Sequence, residues 1–150
     1  MRKAWLLLAA ALPVPGQPPK IAVIGLVHAH YRSNLPRMVG PSGVRLVGIA
    51  ETLPDLVAEA KRIAPDAPFF ADYKKMLDQT KPDIVWALVE NNRHLEIARE
   101  CAPRKINLIF EKPLASTFTD AEEIATLARR YGIRQSRETA LKRRHSPGAT

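Results

Sequence analysis

Short, uninterrupted apolar runs recur along the chain. Ile21 to Leu26 (IAVIGL), Val44 to Ala50 (VRLVGIA), Ile84 to Val89 (IVWALV) and Ile106 to Phe110 (INLIF) are rich in β-branched residues, and Pro68 to Ala71 is a weaker run of the same kind. Runs without polar alternation suit strands buried on both faces. Between them the period becomes helical. Leu56, Val57, Ala60, Ile63 and Ala64 share one face of the segment opened by Pro54. Leu95, Ile97, Ala98, Cys101 and Ala102 do so in Asn91 to Ala102, and Ile124, Ala125, Leu127, Ala128 and Tyr131 in Thr119 to Tyr131. Asp72 can cap a short helix ending at Gln79, and Thr119-Asp-Ala-Glu122 has the form of a capping box. Ala29 to Met38 is the least regular helical segment, because Pro36 interrupts the ladder of amide donors. Strand and helix in alternation predict an α/β fold, a doubly wound parallel sheet of about five strands with right-handed crossovers.

Both ends depart from this pattern. Arg2 and Lys3 precede an apolar run from Ala4 to Leu12, and the small residues Val14 and Gly16 follow before Gln17. This is the layout of a secretory signal over residues 1–17, which implies export. The run is too short for a bilayer, which needs about 20 apolar residues. Pro13, Pro15, Pro18 and Pro19 form a stiff connector, so the domain is expected over residues 18–133. After Ile133 the periodicity stops, and residues 134–150 read as a basic, disordered tail.

Composition sharpens the picture in two places. The single cysteine, Cys101, excludes an intramolecular disulfide framework, and on an apolar helix face it reads as core. The net charge of +8 sits at the ends: Arg2 and Lys3 supply two units and the segment from Arg134 a net four, leaving +2 for Ala4 to Ile133. A nucleic-acid binder needs its charge on a folded face, so that class is set aside.

The candidate chemistry lies where strands end, which is where parallel sheets bind ligands. The first strand leads into Gly25-Leu-Val27-His28-Ala-His30. A dinucleotide-binding turn wants G-x-G-x-x-G, and here Val27 and His30 take the second and third glycine places. Glu51 closes the second strand, where an acid can bind the ribose hydroxyls of NAD and repel the extra phosphate of NADP. It can equally be an acidic first turn of the next helix. His28 and His30 lack a third ligand nearby in sequence, which argues against a metal site.

The fourth strand ends in Glu90-Asn91-Asn92-Arg93-His94 and the fifth in Glu111-Lys112-Pro113-Leu114-Ala115. The order of elements, the N-x-x-H of Asn91 and His94, and above all E-K-P-L-A resemble the Gfo/Idh/MocA oxidoreductases, the glucose–fructose oxidoreductase and inositol dehydrogenase family. The resemblance spans roughly Pro19 to Arg134. It implies a Rossmann-type domain, NAD or less readily NADP as cofactor, and a sugar or polyol as the substrate of full-length relatives. It also implies cofactor contacts at Gly25, Val27, His28, Glu51, Asn91, His94, Glu111 and Pro113. Lys112 would reach the nicotinamide and substrate, its ammonium polarising a hydroxyl or carbonyl during hydride transfer. Without the resemblance Lys112 is a surface lysine in a loop leading to a helix.

Family members carry a second α/β domain that supplies most of the substrate pocket. Nothing after Ile133 has that pattern, and even the sixth strand is expected to be missing, replaced by Gln135-Ser-Arg-Glu-Thr. The abrupt change suggests truncation or a frameshifted end, and turnover by this chain alone is not expected. A non-catalytic binding module that keeps the fold is the alternative.

Overall fold

The computed structural model describes residues 16–40 and 43–137. The expected leader up to Pro15 and the tail beyond Arg137 lie outside the described residues. Six strands, β1 (Lys20–Ile24), β2 (Arg45–Ala50), β3 (Phe69–Phe70), β4 (Ile84–Ala87), β5 (Asn107–Phe110) and β6 (Gln135–Arg137), form one sheet in the order β3-β2-β1-β4-β5-β6. Every pairing is parallel.

The helices are α1 (Tyr31–Val39), α2 (Pro54–Ile63), α3 (Tyr73–Thr80), α4 (His94–Cys101) and α5 (Phe118–Tyr131), with a single 3-10 turn at Asn91–Arg93. Because strand side chains alternate between faces, each apolar run feeds two cores. Ile21 and Val23 of β1 join Trp86, Tyr31 and Leu35 of α1 and Ala60 of α2 on one face. Ala22 and Ile24 join Val85, Met76 and Leu77 of α3, Ile97 of α4 and Ile124 of α5 on the other. After β3 the chain crosses to the other half of the sheet, so the strand order reverses between the neighbours β1 and β4, and the crevice at their carboxyl ends is the place for a ligand.

Three expectations need correction. The sixth strand is present: Leu108 N–H donates to the Arg134 carbonyl at 2.9 Å, and Arg134 N–H to Asn107 Oδ1 at 2.8 Å. The sheet is therefore not cut short at β5, and the fold runs through Arg137 rather than stopping at Ile133. An edge strand held by its backbone needs no apolar run, which is why patterning misses it. Helix α5 is capped by Thr117, whose hydroxyl accepts from Asp120 N–H at 3.1 Å, two residues before the expected box at Thr119. The extended backbone of Thr117 aims its hydroxyl at the first turn. Pro36 does not break α1, since it lies on the exposed face, where the carbonyl it leaves without a donor can bond water. Asp72 caps α3 as expected, accepting from Lys74 N–H at 2.8 Å.

Candidate functional site

The crevice begins at Gly25, which the backbone requires to be glycine. Its φ is +75°, and a Cβ there would stand 2.6 Å from Val89 Cγ1 and 3.2 Å from the Val89 backbone nitrogen. The turn that follows is tied down by its own amides. Gly25 N–H donates to the Ala50 carbonyl, Leu26 N–H to Glu51 Oε2, and the N–H groups of Val27 and His28 to the Leu88 carbonyl. Val27 then projects to the surface, 47% exposed.

Glu51 stands at the end of β2, beside this turn. Oε2 takes the Leu26 N–H at 2.8 Å, and Oε1 takes those of Thr52 and Leu53 at 2.7 and 2.9 Å. Three donors fix the carboxylate without exhausting its roughly four acceptor positions. It forms one wall of a groove of about 220 Å³, with Gly25, Val27, Leu53, Tyr73 and Arg93 on the others. A rigid carboxylate facing an open groove suits a pair of vicinal hydroxyls.

On the β4–β5 side the polar groups are buried. His94 is fully enclosed and stacks on Phe110 with ring centroids 4.6 Å apart. Its Nδ1 lies 2.9 Å from the Leu114 carbonyl, and since a carbonyl only accepts, Nδ1 carries the proton. Burial pushes its pKa below the ordinary imidazole value, against the pull of the Leu114 carbonyl, so the ring stays neutral. His28 is oriented by Nε2, which donates to the Val89 carbonyl at 3.1 Å. Glu111 is only 2% exposed, with Oε2 3.1 Å from His30 Nδ1. Glu111 Oε1, His94 Nε2 and Asn91 Oδ1 are buried without a hydrogen-bond partner among the described residues.

The structure thus gathers Gly25, Val27, His28, Glu51, Asn91, His94, Glu111, Lys112 and Pro113 at one end of the sheet. Their roles differ in kind. Gly25, Val27 and Glu51 bound the groove. Lys112 and Pro113, joined by a cis peptide bond, are exposed on the loop after β5. His94 lies behind that loop and holds it through Leu114, so it acts on the crevice from within. Sequence reasoning passed over Tyr73 and Arg93 as groove residues, although Tyr73 directly follows the cap of α3. It also gave His30 no role, although His30 stands in the third glycine place.

A switch-point crevice with a fixed glycine and an acid at the end of β2 defines a dinucleotide-binding α/β domain. The comparisons give it a family. Residues 19–138 match the family described as the oxidoreductase family, NAD-binding Rossmann fold, and the chain belongs to this Gfo/Idh/MocA family. It is 27% identical, over 78% of its length, to a dTDP-3,4-didehydro-2,6-dideoxy-alpha-D-glucose 3-reductase of Saccharopolyspora spinosa, of which it covers 35%. Among solved structures it resembles the scyllo-inositol dehydrogenase of Lactobacillus casei with bound NAD(H) and scyllo-inositol. That match has a TM-score of 0.72 at 15% identity and covers 83% of this chain and 37% of the other. It also resembles the biliverdin reductase of a Synechocystis species in complex with biliverdin and NADP+, with a TM-score of 0.71 at 20% identity over 81% of this chain and 38% of that one. The chain spans about a third of the length of these relatives. Among the described residues no helix is long and apolar enough to cross a membrane.

Proposed function

We propose that the crevice between β1 and β4 binds NAD in preference to NADP. The observation that carries this reading is Glu51, held at the groove by three backbone donors with acceptor capacity left for ribose hydroxyls. The same charge repels a phosphate on the ribose. Gly25 lets the chain pass close to Val89, and the groove beside it suits the nucleoside half of the cofactor. The bound nicotinamide would supply hydride transfer. The chain's own contribution is to orient it: Asn91 and Glu111 line the β4–β5 side, and His94 holds the loop that carries Lys112.

In the setting of a full-length family enzyme the reaction is hydride exchange with a sugar or polyol, with the Lys112 ammonium polarising the reacting oxygen. A second reading, a non-catalytic nucleotide-binding module, draws on the committed amides of Leu26, Val27 and His28 and on the exposed Val27 at the mouth of the turn. Purified protein with NAD or NADP and a panel of sugars and polyols separates the two. Cofactor reduction abolished in Lys112→Ala supports the enzyme, whereas binding without turnover supports the module. The pattern of Arg2, Lys3 and the apolar run to Leu12 supports export, which the intact mass of protein from a periplasmic fraction tests.

A further inference from the structure

The loops that lead into β4 and β5 enclose a second cavity, at the amino ends of the strands and so at the opposite end of the sheet from the crevice. It measures about 510 Å³, against about 220 Å³ for the groove beside Glu51. Small-molecule sites occupy about 300–1,000 Å³. The two loops are held side by side by the Asp83 carbonyl, which accepts from Asn107 N–H at 3.0 Å and from Asn107 Nδ2 at 3.1 Å. Leu77, Pro82 and Ile106 are buried and give the cavity an apolar floor.

The charges at its rim are unequally engaged. Asp83 Oδ2 accepts the Lys20 N–H at 2.7 Å, and Asp78 takes the Arg104 guanidinium at 3.1 Å, so both acids of the cavity are occupied. Arg104 is shared further with Glu100 at 2.9 Å. Lys105 Nζ gives one of its three donor protons to the Tyr131 carbonyl at 2.7 Å, which leaves two. Lys81 stands exposed on the other loop. The backbone marks the same two lysines. Among the described residues they are the residues other than glycine with positive φ, +45° at Lys81 and +61° at Lys105. Lys81 ends α3, and Lys105 lies in the turn after α4. Gly132 ends α5 in the same conformation, at +66°. A side chain there costs backbone energy that glycine avoids, yet the two turns that line the cavity carry lysine.

We propose that this cavity binds a small organic anion, its anionic head between Lys81 and Lys105 and its apolar body on Leu77, Pro82 and Ile106. Strained residues of this kind cluster at ligand clamps. With both acids of the rim already paired, the two ammonium groups set the sign of the charge a ligand meets. The inference does not depend on the nucleotide reading, because the cavity shares no residue with the groove beside Glu51. Both are expected to be filled at once.

Amide NMR of the labelled protein, titrated with naphthoate, naphthamide and inorganic phosphate, tests it. Naphthoate has both the charge and the apolar body, naphthamide lacks the charge, and phosphate lacks the body. Naphthoate should shift the amides of Lys81, Lys105, Ile106 and Asn107 along a saturating curve. The other two should need about tenfold more ligand, the scale of one hydrogen bond to a charged group. Lys81→Gly and Lys105→Gly each remove an ammonium and relax the backbone. Each should therefore keep its denaturation midpoint while binding naphthoate about fivefold more weakly, and Lys81→Arg should bind it as the wild type does. Equal binding of naphthoate and naphthamide, or unchanged affinity in both glycine variants, overturns the inference. Naphthoate shifts at Gly25, Thr52 and Leu53 instead, or displacement of naphthoate by NAD, put the anion in the crevice and overturn it as well. So does a dependence of the cavity shifts on protein concentration without any probe, which marks this face as a contact between copies of the chain.

Discussion

His94 and Leu114 are joined by a hydrogen bond of 2.9 Å from the imidazole Nδ1–H to the main-chain carbonyl. The bond links the first residue of α4 to the loop that follows β5, and so ties the end of one strand to the loop bearing Lys112. Burial keeps the ring neutral against the pull of the Leu114 carbonyl, and this burial makes stability depend on pH. The folded-state pKa lies below the unfolded one, so the unfolded chain binds the extra proton. This contribution is complete above about pH 6.5, the ordinary imidazole value, and is lost as pH falls below it toward the folded pKa. Urea unfolding of the wild type between about pH 5 and pH 7.5 should show the loss. His94→Asn, which keeps a donor toward Leu114 but does not titrate, should flatten the slope.

Gly25 combines a positive φ with a close approach to Val89, so Gly25→Ala meets two separate penalties. The expected cost is about 2 kcal/mol, from the left-handed backbone and the overlap with Val89 together. Adding Val89→Ala should recover the overlap with Cγ1 but neither the close approach to the Val89 backbone nitrogen nor the cost of the left-handed backbone. Denaturation midpoints of the single and double variants check this, and full recovery in the double variant would contradict the backbone contribution.

Asn107 bridges strands at the sheet edge. Its Nδ2 donates to the Asp83 carbonyl at 3.1 Å, and its Oδ1 accepts from Arg134 N–H at 2.8 Å. Asn107→Ala should cost about 1 kcal/mol and act locally on β6. Amide exchange at Arg134 and Leu108 should quicken while that of β1 and β4 is unchanged.

The strands of the sheet centre were legible because Ile21 to Leu26 and Ile84 to Val89 must be apolar on both faces, and that requirement writes itself into adjacent residues. Among the described residues strand β6 pairs with β5 alone and is held by backbone groups and Asn107, which leave no mark in residues 135–137. The site divides in the same way. Glu51 could be named from its place after an apolar run, whereas the hydrogen bond that orients His94 goes to Leu114, twenty positions away in sequence. The pairing of His30 with Glu111 joins the start of α1 to the end of β5, and no local pattern announces it.

On the proposed reading, NAD lies in the crevice at the carboxyl ends of β1, β2 and β4, with Glu51 choosing it over NADP. Backbone amide NMR of the labelled protein, titrated with NAD and then with NADP, tests it most directly. NAD should shift the amides of Gly25, Leu26, Thr52 and Leu53, and NADP should need a higher concentration for the same shifts. In Glu51→Ala the preference should shrink by about tenfold, the scale of one hydrogen bond to a charged group. Shifts confined to residues away from the crevice, or tighter binding of NADP by the wild type, would contradict it.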